Sequence, residues 1–171
     1  MIEKMLKENY LKAVKEQLEL YVKLKKTVGE ENKALKIKNL KNIEKLIQEE
    51  DEYVTRIKEM EMQKYDLFLK MAEGLGLKND GSVKLNELLE KMETDEANEI
   101  GTAVLGLLEM AKEVDTINIA NAHLLKKFTE YVNYVQTKTN IDPTKLGGTY
   151  TQTGTPLKTE PVKKTNFDSK I

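Results

Sequence analysis

Apolar side chains recur at Leu11, Val14, Leu18, Tyr21, Leu24 and Val28, in steps of three and four that gather on one side of a helix. The pattern predicts a first helix over about 2–37. Gly29 interrupts it at a cost of about 1 kcal/mol, which a long helix absorbs. A second stripe runs through Leu40, Ile43, Ile47, Val54, Ile57, Phe68, Met71 and Leu75, predicting a helix over about 40–74. Asn39 is placed to cap it, with Asn42 as the alternative. A turn this short forces the two helices antiparallel, each roughly 50 Å long at about 1.5 Å per residue. The glycine-punctuated GLGLKNDGS (74–82) reads as a turn. Ser82 is then expected to cap a short helix over about 82–92, and Thr94 or Asp95 a last helix over about 95–138. The expected fold is all-α: a long antiparallel hairpin, a short helix and a long C-terminal helix, forming an elongated bundle domain over 1–140.

The last helix carries the most regular stripe: Ile100, Val104, Leu107, Ala111, Val114, Asn118, Asn121, Leu125, Phe128, Val132 and Val135, alternating steps of four and three. A seven-residue repeat of this kind implies left-handed coiled-coil packing. Its two central members are asparagines, and a buried unpaired amide costs roughly 1–3 kcal/mol. Leu108, Met110, Ile117, Leu124, Tyr131 and Tyr134 widen the apolar surface beyond the stripe. Two readings stand at this point. The face closes a bundle core or a homodimer seam, or it is a groove for another chain, with the asparagines as polar selectors. On the second reading Asn121→Leu is expected to stabilise the free protein while loosening its choice of partner.

Composition fits long helices. A third of the 171 residues are charged, the net charge is −1, and there is no Trp. Near-neutrality argues against a nucleic-acid partner, which needs a basic stripe, and Arg56 is the one arginine among 28 basic residues. No apolar run approaches the roughly 18–20 residues that span a bilayer, and MIEKMLKEN has no signal-peptide core, so a cytoplasmic protein without membrane insertion is expected. Residues 141–171 hold all three prolines, three glycines and many threonines, and no apolar period survives there. They read as a disordered tail of charge +2. Phe167 and Ile171 close it, and the readings open are a short docking motif, a cover for the groove before a partner arrives, or two apolar residues without a role.

Candidate catalytic chemistry is sparse. No cysteine offers a thiolate or a disulfide, and His123 stands alone off the seam. The acids at 49–52 and 93–96 read as solvated helix faces or dipole complements. GLGLKNDG lacks the phosphate-loop spacing, and NDGSVKLNE lacks alternating acids and a twelfth-position Glu for calcium. The lysines of KIKNLKNIEK, interleaved with acids, read as helix exterior. No catalytic residue, metal ligand or cofactor site is expected, and the chain does not read as an enzyme.

Four features together resemble the FlgN-type flagellar export chaperones. They are LELYVKLKKTVGEENKALKIKNLKNIEKLI (18–47), LGL (75–77), NIANAHLLKKFTEYVNYV (118–135), and a tail with GTYTQTGT and FDSKI. The resemblance implies a non-catalytic cytoplasmic chaperone. It would hold the C-terminal helical segments of two hook-associated proteins, prevent their premature assembly, and deliver them to the flagellar type III export gate. It also places client binding on Asn118, Asn121, Leu125, Phe128, Val132 and Val135, with Tyr131, Tyr134, Phe167 and Ile171 as further client or gate contacts. A homodimer in the absence of client, a purely structural homodimeric coiled coil, and a chaperone for another secreted client such as flagellin remain as alternatives.

Overall fold

A computed structural model describes residues 2–139; the tail, with Phe167 and Ile171, lies outside the described residues. The chain is all-α, with helices α1 (Ile2–Lys36), α2 (Leu40–Gly74), α3 (Leu85–Glu90) and α4 (Thr94–Thr139), and no strand among the described residues. The long C-terminal helix has 46 residues.

Both long helices that precede α3 end in the same way. At α2 the Leu77 amide donates to the Ala72 carbonyl at 2.9 Å and the Gly76 amide to the Glu73 carbonyl at 3.0 Å, with Gly76 at φ +72°. This paired closure satisfies the carbonyls that a helix end orphans, and it needs a left-handed residue. Leu77 then packs against the core that holds Met71, so LGL is a helix stop with its own apolar clasp. At α1 the Asn39 amide reaches Ala34 at 3.0 Å and the Lys38 amide reaches Leu35 at 3.2 Å. Here Lys38 takes the left-handed position at φ +55°, a conformation that costs an ordinary L residue about 1–2 kcal/mol. Asn39 caps α2, its side-chain oxygen accepting from the Asn42 amide at 3.3 Å.

The short helix is shorter than the pattern predicted. Ser82 does not cap it: the helix begins only at Leu85, and Ser82 belongs to the preceding turn, its amide and hydroxyl both donating to Asp80 Oδ1. The cap position falls to Lys84, which makes no side-chain capping bond. Glu93, not Thr94 or Asp95, precedes α4: its carbonyl accepts from the Ala97 amide at 2.9 Å. Asp95 and Glu96 sit in the first turn instead, where they complement the dipole.

Among the described residues, packing divides the chain into two compact units, 2–25 with 51–114, and 26–50 with 115–139. In the first, Tyr10, Val14, Met71, Ala72, Leu88, Ile100 and Leu107 form the core. Six residues do not hold a helix in water; Leu88, fully buried, with Leu85 and Leu89 beside it, docks α3. Lys7 pairs with Glu96, Lys15 with Glu99 and Lys25 with Glu113, so α1 and α4 run parallel here. α1 and α2 are antiparallel: Gln17 bonds to Ile57, Glu61 and Lys64, while the earlier Tyr10 and Val14 share a cluster with the later Met71 and Ala72. In the second unit Ala34, Leu35, Ile43, Leu46, Ile47 and Leu125 form the core, joining the end of α1, the start of α2 and the later part of α4.

Candidate functional site

The 4–3 repeat of α4 is its inward face. Ile100, Leu107, Val114, Asn121, Leu125, Phe128 and Val132 are buried, and Val104, Ala111, Asn118 and Val135 are half-buried. In the second unit Leu125 is 2% exposed among side chains of α1 and α2, with Leu124 packed on the same cluster. Tyr131 and Tyr134 turn outward, 50% and 61% exposed. Thus the residues assigned to a partner divide into a covered set (Asn121, Leu125, Phe128, Val132), a half-covered pair (Asn118, Val135) and two open aromatics. Of the other apolar residues beside the seam, Leu108 is exposed, while Met110 and Ile117 are half-buried.

The two asparagines have different surroundings. Asn121 is fully engaged: its Nδ2 donates to the Val28 carbonyl at 2.8 Å and to Glu31 Oε2 at 3.0 Å, and its Oδ1 accepts from Asn32 Nδ2 at 2.8 Å. Its burial therefore carries no unpaired amide. Replacing it with leucine would take one hydrogen bond from the buried Glu31 and those of the Val28 carbonyl and the Asn32 amide, so the expected stabilisation by Asn121→Leu is reversed by what surrounds the amide.

Glu31 is the partner that the stripe reading missed. It is 5% exposed, and burial pushes its carboxyl above the ordinary range, while hydrogen bonds with Asn121 and Glu50 draw it partway back. A signal for it does exist in the chain. Tyr10, Val14, Gln17, Tyr21, Leu24, Val28, Glu31 and Leu35 keep strict four–three spacing through two polar members. Both polar members are buried and both are bonded. In the first unit Gln17 Nε2 donates to Glu61 at 2.8 Å, and Lys64 donates to Gln17 Oε1 at 2.9 Å. Burial raises the Glu61 pKa, but the hydrogen bonds from Lys64 and Gln17 prevail and leave it lowered.

Further along α4, Gln136 Oε1 is the buried side-chain polar atom left without a partner among the described residues. Lys38 Nζ lies 4.0 Å from the centre of the Tyr131 ring, and Lys138 Nζ lies 5.9 Å from that of Tyr134. His123 is exposed. No three His, Cys, Asp or Glu side chains among the described residues are grouped to hold a metal, and no helix there is long and apolar enough to cross a membrane.

Neither a curated protein nor a solved structure matches the chain significantly. A protein-family model, described as FlgN protein, matches residues 1–158.

Proposed function

The chain belongs to the FlgN family and is a flagellar export chaperone; from that premise we propose that its clients are the C-terminal helical segments of the two hook-associated proteins, bound in the cytoplasm by the later part of α4 and delivered to the type III export gate. The observation that carries this reading is the chemistry of α4 beyond Asp115. Four buried seam residues there, Asn121, Leu125, Phe128 and Val132, are covered by the chain's own helices in the absence of client.

An amphipathic client helix recognises a groove through apolar anchors at helical spacing. Leu125, Phe128, Val132 and Val135 have that spacing, and Asn118 and Asn121 act as polar selectors. Because most of this face is covered, the client takes over contacts made by the α1–α2 end of the same unit, Leu35, Ile43 and Ile47 among them. Tyr131 and Tyr134, already open, make the first contact. The unpartnered Gln136 Oε1 supports the reading, since an acceptor buried without a donor costs roughly 1–3 kcal/mol until a partner supplies one. Phe167 and Ile171 extend the same contact, to client or to gate. The case for a homodimer seam is weaker, because the stripe that invited it is covered within one chain.

Hydrogen exchange tests the placement. A saturating C-terminal segment of either hook-associated protein is expected to change exchange in 115–139 and in 26–50, leaving 1–25 as it was. Tyr131→Ala with Tyr134→Ala is expected to slow client association while moving Tm by no more than about 2 °C, as surface changes do. Client-induced protection confined to 1–25 and 51–114 would overturn the placement.

A further inference from the structure

The turn between α1 and α2 in the second unit carries a concentration of charge that client binding does not use. Between positions 33 and 45 there are five lysines and one acid, Glu44. All five lysines are exposed. Lys45 is spent on Glu49 at 3.7 Å, but Lys33, Lys36 and Lys41 form no ion pair among the described residues. Lys41 lies in the first turn of α2, which has no acid, so it adds to the positive end of the helix dipole rather than cancelling it. At the centre of these charges stands Ile37, 73% exposed.

The backbone holds this pattern in one arrangement. The paired closure from Asn39 to Ala34 and from Lys38 to Leu35 fixes the turn. Lys38 sits in it at φ +55°, where glycine would rest without strain, and its ammonium lies over the Tyr131 ring. The strain of this position is borne by a side chain that contributes both a charge and a ring contact.

We propose that this turn, with Lys33, Lys36, Ile37, Lys38, Lys41 and Tyr131, is a docking surface for an acidic segment of a partner protein, one whose apolar residue covers Ile37. Charge complementarity selects the partner's sign. A membrane surface fits less well, because its binding to a basic helix draws on a broad apolar face, whereas at this turn Ile37 is the open apolar residue. The proposal is independent of which client α4 takes.

The test uses the full chain and a labelled synthetic peptide of Glu and Ala with one central Leu, read by fluorescence anisotropy at low and high salt. Vesicles of phosphatidylglycerol and phosphatidylcholine run in parallel. The peptide is expected to bind at low salt and to be released at high salt. Lys36→Glu with Lys41→Glu is expected to weaken it by roughly tenfold, as reversing charges at a complementary surface does. The matched control, Lys58→Glu with Lys78→Glu, alters two exposed lysines of the first unit, which are not part of the proposed surface, and is expected to leave the affinity within about twofold. Lys38→Gly is expected to raise Tm while weakening the peptide, which separates the surface from the stability of the turn. The proposal is overturned if the peptide fails to bind, if the control pair weakens it equally, or if the vesicles alone bind in a manner that depends on Lys36 and Lys41.

Discussion

Asn121→Leu is the substitution on which the account of the α4 seam turns. The change removes two donations, to Val28 at 2.8 Å and to Glu31 at 3.0 Å, and one acceptance from Asn32 at 2.8 Å. Each neutral bond is worth about 1 kcal/mol and the one to a carboxylate about 2, so roughly 4 kcal/mol is lost. Burial of the leucine side chain returns about 2 kcal/mol. The net expectation is a destabilisation of about 2 kcal/mol, or a fall in Tm of roughly 4–8 °C for a chain of this size. Thermal unfolding followed by circular dichroism at neutral pH measures it. The cause is separable from packing by a double-mutant cycle, because Glu31→Leu removes the group that Asn121 serves. In that background Asn121→Leu is expected to cost less by about 1–2 kcal/mol, the coupling typical of neighbours in one network. A rise in Tm for the single variant would refute the reasoning, as would strict additivity in the cycle.

Three further outcomes follow from the same structure. Burial raises the folded-state pKa of Glu31 above the ordinary carboxylate value, so its contribution to stability is fully present below that value and is lost as pH rises through the folded pKa. Glu31→Gln keeps an acceptor for Asn121 and removes the charge; its unfolding free energy relative to wild type is expected to improve as pH rises from about 4 to 7, and denaturant titrations at each pH check this. Gly81 has φ +76°, and a Cβ there would lie 2.9 Å from the Tyr65 hydroxyl, so Gly81→Ala is expected to cost about 1–2 kcal/mol in the same denaturant titration. Leu88 is fully buried, and Leu88→Ala is expected to cost about 2–5 kcal/mol, with hydrogen exchange at 85–90 rising before the rest of the first unit.

The long helices were legible because their apolar period of three and four persists over many turns, and the α1–α2 connection because Asn39 caps in the expected way. The short helix was misplaced because a serine before an apolar run suits a turn as well as a cap, and Ser82 closes a turn on Asp80 two residues before it while the helix begins at Leu85. The seam of α4 could be read, but its cover could not. Whether Leu125 faces solvent or its own hairpin depends on Leu35, Ile43 and Ile47, which are distant in sequence. Asn121 stood out as a break in an apolar pattern, and its partner was hidden by the opposite error. Glu31 lies outside the apolar stripe that ends at Val28, and shows only when the four–three spacing is followed through polar members as well. The turn lysines were likewise read as ordinary exterior. That Lys33, Lys36 and Lys41 form no ion pair among the described residues, and that Lys38 is left-handed, are properties of the folded chain, which residue order does not display.

The central claim is that α4 receives the C-terminal helical segment of a hook-associated protein. Isothermal titration of the full chain with those two segments from the same organism, and with the flagellin C-terminal segment as control, tests it most directly. The account predicts stoichiometric binding to the first two with a negative heat-capacity change, the mark of apolar burial, and no binding to flagellin. Silence with both hook-associated segments, or equal binding to flagellin, would contradict it.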